Sequence, residues 1–207
     1  MKPVLEQISK NIEESFVANS FEENHFPNSW HFHTEYELML VTESEGTRFV
    51  GESLSAFKPG DLVLLGPNLP HLYCNAKEYY GGSPFKAKAI TVHFVESSFG
   101  DFLCSGAETK TLKSLLLKAE RGLHIIGRTS ETVAQMLHDL LLEKDFDRCT
   151  KLLEILLILS QSTDYYFIST GLKDVDEDSN KMNKVIDYVV NNFNKEIFRK
   201  QTHYNSY

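Results

Sequence analysis

The chain has 207 residues, 42% of them hydrophobic and 12% aromatic, enough to bury a core of one substantial domain and part of another. This composition excludes a disordered chain. A formal net charge of -8 disfavours binding nucleic acid through the whole surface, because an acidic protein repels polyphosphate. Cys74, Cys104 and Cys149 are far apart and lack CxxC spacing, so neither a disulfide framework nor a thiolate zinc site is expected. The N-terminus has no apolar signal core, and the run Leu152 to Leu159 is too short to span a bilayer. The expectation is a soluble, cytoplasmic protein without a membrane partner.

Residues from about Glu14 to Phe94 are rich in β-branched and aromatic side chains, with turn signals at short intervals. Expected strands are Ser15-Phe21, Trp30-His33, Tyr36-Thr42, Gly46-Val50, Glu52-Phe57, Asp61-Leu65, His71-Cys74 and Lys86-Phe94. They are separated by Phe26-Pro27-Asn28, Glu43-Ser44-Glu45-Gly46, Lys58-Pro59-Gly60 and Gly66-Pro67-Asn68. Many short strands closed by Gly/Pro turns point to a sandwich or a jelly-roll barrel.

Within this region, His31 and His33 sit one residue apart, Glu37 follows four residues after the second, and His71 lies beyond a Pro-Gly-Asp turn. On an extended strand alternate residues share a face, which would gather His31, His33 and Glu37. Three imidazoles and a carboxylate suit a divalent transition metal, so His31, His33, Glu37 and His71 are the candidate ligands. The same residues, with Tyr36, Tyr73 and His93, can instead line a polar ligand pocket. No GxSxG, P-loop or Rossmann glycine signature is present.

After Phe94 the periodicity becomes helical. A helix is expected over Thr109-Ala119, then a short strand between Gly122 and Gly127, then helices over about Ser130-Lys144, capped by Ser130, and Asp147-Ser160. The last carries Leu152, Leu153, Leu156 and Leu157 on one stripe, which Ile155, Ile158 and Leu159 widen beyond one buried face. Packing against the barrel accounts for part of that width, and for the rest Leu152, Ile155, Leu156, Ile158 and Leu159 are the candidate dimer interface. Residues 171–179 are acidic and polar, as in an exposed linker, and a final helix begins near Asn180 with Met182, Val185, Ile186, Val189, Val190 and Phe193 on one stripe.

Three stretches together resemble the cupin sensor domain of AraC-type transcriptional regulators. They are Trp30 to Leu38, Gly46 to Glu52, and Phe57 to His71, of which Leu64-Leu65-Gly66-Pro67-Asn68-Leu69-Pro70-His71 is the most specific. The similarity extends through Leu115 to Leu123, and Met182 to Phe193 resembles the first helix of that family's DNA-binding domain. The resemblance implies an α+β chain. Its parts are a cupin-like effector-binding barrel over 1–127, a helical dimerisation segment over 128–170, a linker over 171–179, and the start of a truncated helix-turn-helix domain over 180–207, leaving one orphan C-terminal helix. It further implies a homodimer that senses a small-molecule effector, sugars among them, and does no catalysis. The residues after Ile197 do not match the family, so contact with operator DNA is expected only through the missing part of a full-length regulator. The His/Glu set also resembles the metal motif of enzymatic cupins, which keeps a metal-dependent isomerase or dioxygenase as the alternative.

Overall fold

The computed structural model describes residues 2–10, 14–100 and 106–170, together with Lys184 and Tyr188. The expected linker and most of the last helix lie outside the described residues. Over residues 2–170, among the described residues, the architecture is mixed α+β in three layers: a five-stranded sheet, a six-stranded sheet, and three α-helices.

The strands are β1 (Val4–Leu5), β2 (Val17–Glu23), β3 (His31–Phe32), β4 (Tyr36–Glu43), β5 (Gly46–Val50), β6 (Ser53–Phe57), β7 (Leu62–Leu65), β8 (His71–Asn75), β9 (Ala87–Phe94), β10 (Leu123–Ile125) and β11 (Tyr165–Phe167). The first sheet runs β1-β3-β8-β5-β6 and the second β11-β10-β7-β4-β9-β2. All pairings are antiparallel except β1 with β3. Among the described residues no ladder joins the two sheets, so hydrogen bonding does not close a barrel here. The strands between Val17 and Phe94 follow the turn punctuation; β1 and β11 were not expected, being too short to show a period.

The central strands β4 and β7 of the second sheet are covered on both faces, which explains why they are buried almost without interruption. Along β4, Leu38 and Leu40 face the helices, while Met39 and Val41 face the first sheet. Between the sheets those two join Val50, Phe57, Val63, Leu65 and Tyr73 in one core. On the other side Leu38, Leu40, Leu62, Leu64, Ile90 and Val92 pack against the helical layer.

The helices are α1 (Lys110–Ala119), α2 (Gly127–Leu140) and α3 (Asp145–Gln161). Helix α2 begins three residues before the expected cap: Ser130 lies inside it, and its amide donates to Ile126 O. Gly127, at φ +61°, supplies the left-handed turn that lets the chain leave β10 so abruptly. Among the described residues no helix is long and apolar enough to cross a membrane.

The dimer assignment on α3 needs correction. Leu152, Ile155, Leu156 and Leu159 are exposed by 2% or less and belong to the core of the monomer. The stripe is broad because α3 packs on α1 and α2 as well as on the apolar mass over the sheet. Burial of each such side chain contributes about 1.5–3 kcal/mol. Of the five candidates only Ile158 is half-buried, while the neighbouring Leu157 is 53% exposed.

Candidate functional site

The chain leaves the first sheet at β3 and enters the second at β4 through Thr34 and Glu35. His33 stands at the start of this crossing and Glu37 just after it. Their approach therefore comes from facing sheets, not from alternation along one continuous strand. His71 begins β8, directly opposite His31 in the ladder, and His93 on β9 is the cross-strand partner of Glu37.

One carboxylate oxygen is the centre of the cluster. Glu37 Oε2 lies 3.0 Å from His33 Nε2, 3.0 Å from His93 Nε2 and 3.5 Å from His71 Nε2. His33, Glu37 and His71 are buried, with 1%, 5% and 2% exposure. His31 stands at the edge. Its ring packs on His71 with centroids 4.3 Å apart, but its Nε2 turns to Glu6, 3.2 Å away on the segment that follows β1.

Backbone carbonyls orient the rings. The Nδ1 atoms of His31, His33 and His71 lie 2.8, 3.0 and 2.9 Å from the carbonyl oxygens of Ser29, Glu35 and Leu69. A carbonyl only accepts, so each Nδ1 carries the hydrogen and donates it. A neutral ring then presents a bare lone pair at Nε2. For His33 and His71 that lone pair faces the Glu37 carboxylate, itself only an acceptor. Such a contact is repulsive unless a proton or another cation lies in it. The longer approach of His71 fits this, and its buried Nε2 has no hydrogen-bond partner.

The electrostatics agree. Burial alone would raise the Glu37 carboxyl, but the charge of His71 and the hydrogen bonds of His33 and His93 outweigh it and hold the group well below the usual carboxylate range. Burial lowers the His33 imidazole, yet the hydrogen bond and charge of Glu37 carry it above its ordinary value. His31 is lowered, by burial first and then by His71.

Among the described residues two groups have ligand atoms within 4.8 Å of one another: His31, His33 and His71, and His33, Glu37 and His93. The first holds three of the four ligands expected from sequence; the second joins the fourth, Glu37, and His33 to His93. The other pocket candidates lie elsewhere. Tyr36 is on the opposite face of β4, where its ring stacks on Phe94 and its hydroxyl donates to Glu96 Oε1 at 3.0 Å. Tyr73 packs deeper between the sheets, on Phe26 and Phe57, with a buried hydroxyl that lacks a hydrogen-bond partner. Asn75 is structural, with its Oδ1 accepting the Phe26 amide at 2.7 Å.

A second buried polar group escaped the sequence reading. Asp61, from the Pro-Gly-Asp turn, accepts from Arg48 Nη1 through one oxygen and pairs with His124 Nε2 at 2.7 Å through the other. Tyr166 OH meets His124 Nδ1. Arg48 is 1% exposed and its Nε has no hydrogen-bond partner. The available signal was the alternation of β10, which turns His124 away from Leu123 and Ile125.

No family model matches the chain, and no curated protein does. The path of the chain is similar to that of ToxT from Vibrio cholerae. One solved form, at 1.65 Å, is 12% identical with a TM-score of 0.40, covering 85% of this chain and 65% of that one. The unsaturated fatty acid-bound wild-type ToxT of strain SCE256 is 12% identical with a TM-score of 0.42, covering 88% and 65%. The chain thus spans just under two thirds of their length. At these identities and scores the likeness assigns neither a family nor a ligand.

Proposed function

We propose that the chain is the small-molecule-sensing and dimerising portion of an AraC-type regulator of transcription, with a cupin-type fold and no catalytic turnover, and that the cluster around Glu37 is its sensing site. One observation carries this reading: buried polar side chains from facing sheets converge in an otherwise apolar interior, with their rings oriented by backbone carbonyls. Polar groups are buried at such cost only where something answers them. The sequence resemblance, whose most specific stretch ends on His71, supports the same reading.

A divalent transition ion fits the donor set. His33 and His71, with Nδ1 held by carbonyls, leave Nε2 for a metal, the outer-shell arrangement that metal-bound histidines use. His33, Glu37, His71 and His93 would hold the ion, with His31 drawn away by Glu6. When bound, the ion supplies a fixed positive charge and a Lewis-acid centre for an effector oxygen, such as a sugar hydroxyl. Glu37 and the histidines set its position, and the apolar residues between the sheets keep bulk water out.

In this reading dimerisation falls to the outward part of α3, around the exposed Leu157 and the half-buried Ile158. DNA contact belongs to the helix-turn-helix region whose first helix the resemblance begins near residue 180. The same ligand set favours one other reading, a metal-dependent cupin enzyme of isomerase or dioxygenase type.

Elemental analysis of protein purified without chelators is the test. About one zinc, iron, nickel or manganese per chain, lost from a His33→Ala/His71→Ala double variant, supports the site. An effector that raises the melting temperature and is recovered unchanged supports a sensor; its conversion to product supports the enzyme.

A further inference from the structure

A cleft of about 310 Å³ opens on the far side of β4, where the end of the β4–β9 ladder meets α1. That volume is at the lower end of small-molecule sites, roughly 300–1,000 Å³. One wall is the stacked pair Tyr36 and Phe94, with ring centroids 5.3 Å apart; the other is Leu112 and Leu116 of α1. Leu156 of α3 also lines it.

Among the described residues the polar lining is mostly acidic, Glu96 and Glu120 against one cation, Lys113. The Tyr36 hydroxyl donates its one hydrogen bond to Glu96 and is left with acceptor capacity only. Burial, then Glu96 and Glu120, push that hydroxyl's pKa up, so both carboxylates make their field felt at the same oxygen. The cleft thus combines an aromatic and aliphatic interior with an excess of acceptors at its mouth.

We propose that this cleft is a second ligand site, for a small organic amine whose apolar body lies between Tyr36 and Leu116 and whose ammonium is received by Glu120 and the Tyr36 oxygen. The site is distinct from the histidine cluster but back to back with it. In the β4–β9 ladder Tyr36 pairs with Phe94 and the next pair is Glu37 with His93, so successive cross-strand pairs serve the two opposite faces. A ligand in the cleft is wedged between the sheet and the helical layer, where it can bias how α1 and α3 sit on the sheet.

The test uses matched probes on the full ¹⁵N-labelled chain: 2-phenylethylamine and 3-phenylpropanoate, with the same body and opposite charge. The expected result is saturable amide shifts confined to the segments carrying Phe94, Glu96, Leu112 and Glu120. The amine should bind at least about tenfold tighter than the carboxylate, the factor of one charge-assisted hydrogen bond. Glu120→Gln, at an exposed position, should erase that preference, and Leu112→Trp should block both probes. Amide shifts that do not saturate, a carboxylate that binds as tightly as the amine, or an unchanged preference in Glu120→Gln would overturn the proposal. Metal binding at the histidines is not needed for any of these readouts.

Discussion

The Glu37→Gln substitution should destabilise the protein in acid and do little in base. With His33 protonated, its Nε2–H donates to the Glu37 carboxylate 3.0 Å away, both groups being buried. Removing one member of a buried charge pair costs about 3–5 kcal/mol. A carboxamide keeps an acceptor of the same shape, so the expected loss is about 2–4 kcal/mol once the retained hydrogen bond, about 1 kcal/mol, is allowed for. With His33 neutral, its lone pair faces the carboxylate, and the carboxamide can turn its NH₂ toward that lone pair. The loss should then fall to about 0–1 kcal/mol. The pH window follows from the two shifts. His33 is raised, so its contribution is complete below the unfolded value of about 6.5 and is lost as pH rises through the folded value. Glu37 is depressed, so its contribution is complete above about 4.3 and is lost as pH falls through the folded value. Urea unfolding of chelator-treated wild type and variant at pH 5.5 and pH 8.5 measures the difference. Equal losses at both pH values, to within about 0.5 kcal/mol, would refute the assignment of the protons.

Four further outcomes are expected. Arg48→Met should cost about 3–5 kcal/mol, because it leaves the buried Asp61 with only His124; in a double-mutant cycle with Asp61→Asn a coupling below about 0.5 kcal/mol would show that the pair does not act as a unit. Leu156→Ala should cost about 2–5 kcal/mol as a core cavity. Leu157→Asp, on the exposed side of α3, should leave monomer stability within about 0.5 kcal/mol yet lower the dimer fraction in light scattering; an unchanged dimer fraction would remove this face from the interface. Gly66→Ala should disrupt the junction of β7 with α1, since its Cβ would stand 2.6 Å from Glu120 Cα, and wild-type thermal stability in that variant would contradict the packing.

The strands were legible wherever Pro and Gly punctuated them: β5 appears over Gly46–Val50 as expected, and β4, β7 and β8 shift by a residue or so. The helices were legible from their stripes, but not what each stripe faced. Apolar width on α3 reads the same whether a second helix of its own chain or of a partner covers it, and here α1 and α2 do. Local spacing singled out His31, His33 and Glu37, but a period of two could not reveal that the chain crosses between sheets at Thr34 and Glu35. It also could not rank His93 above His31, because that depends on the β4–β9 register and on Glu6, a residue far from the motif in sequence. The Arg48–Asp61–His124 group was invisible for the same reason: its members are joined only by long-range pairing.

Calorimetric titration of Zn²⁺ into chelator-treated protein near pH 7.5, in two buffers of different ionisation enthalpy, tests the central claim most directly. The account predicts one ion per chain, with protons released because the cation replaces those held between His33, His71 and Glu37, and with binding lost in His33→Ala and His71→Ala. A titration without saturable heat, or one unaltered by both substitutions, would contradict it.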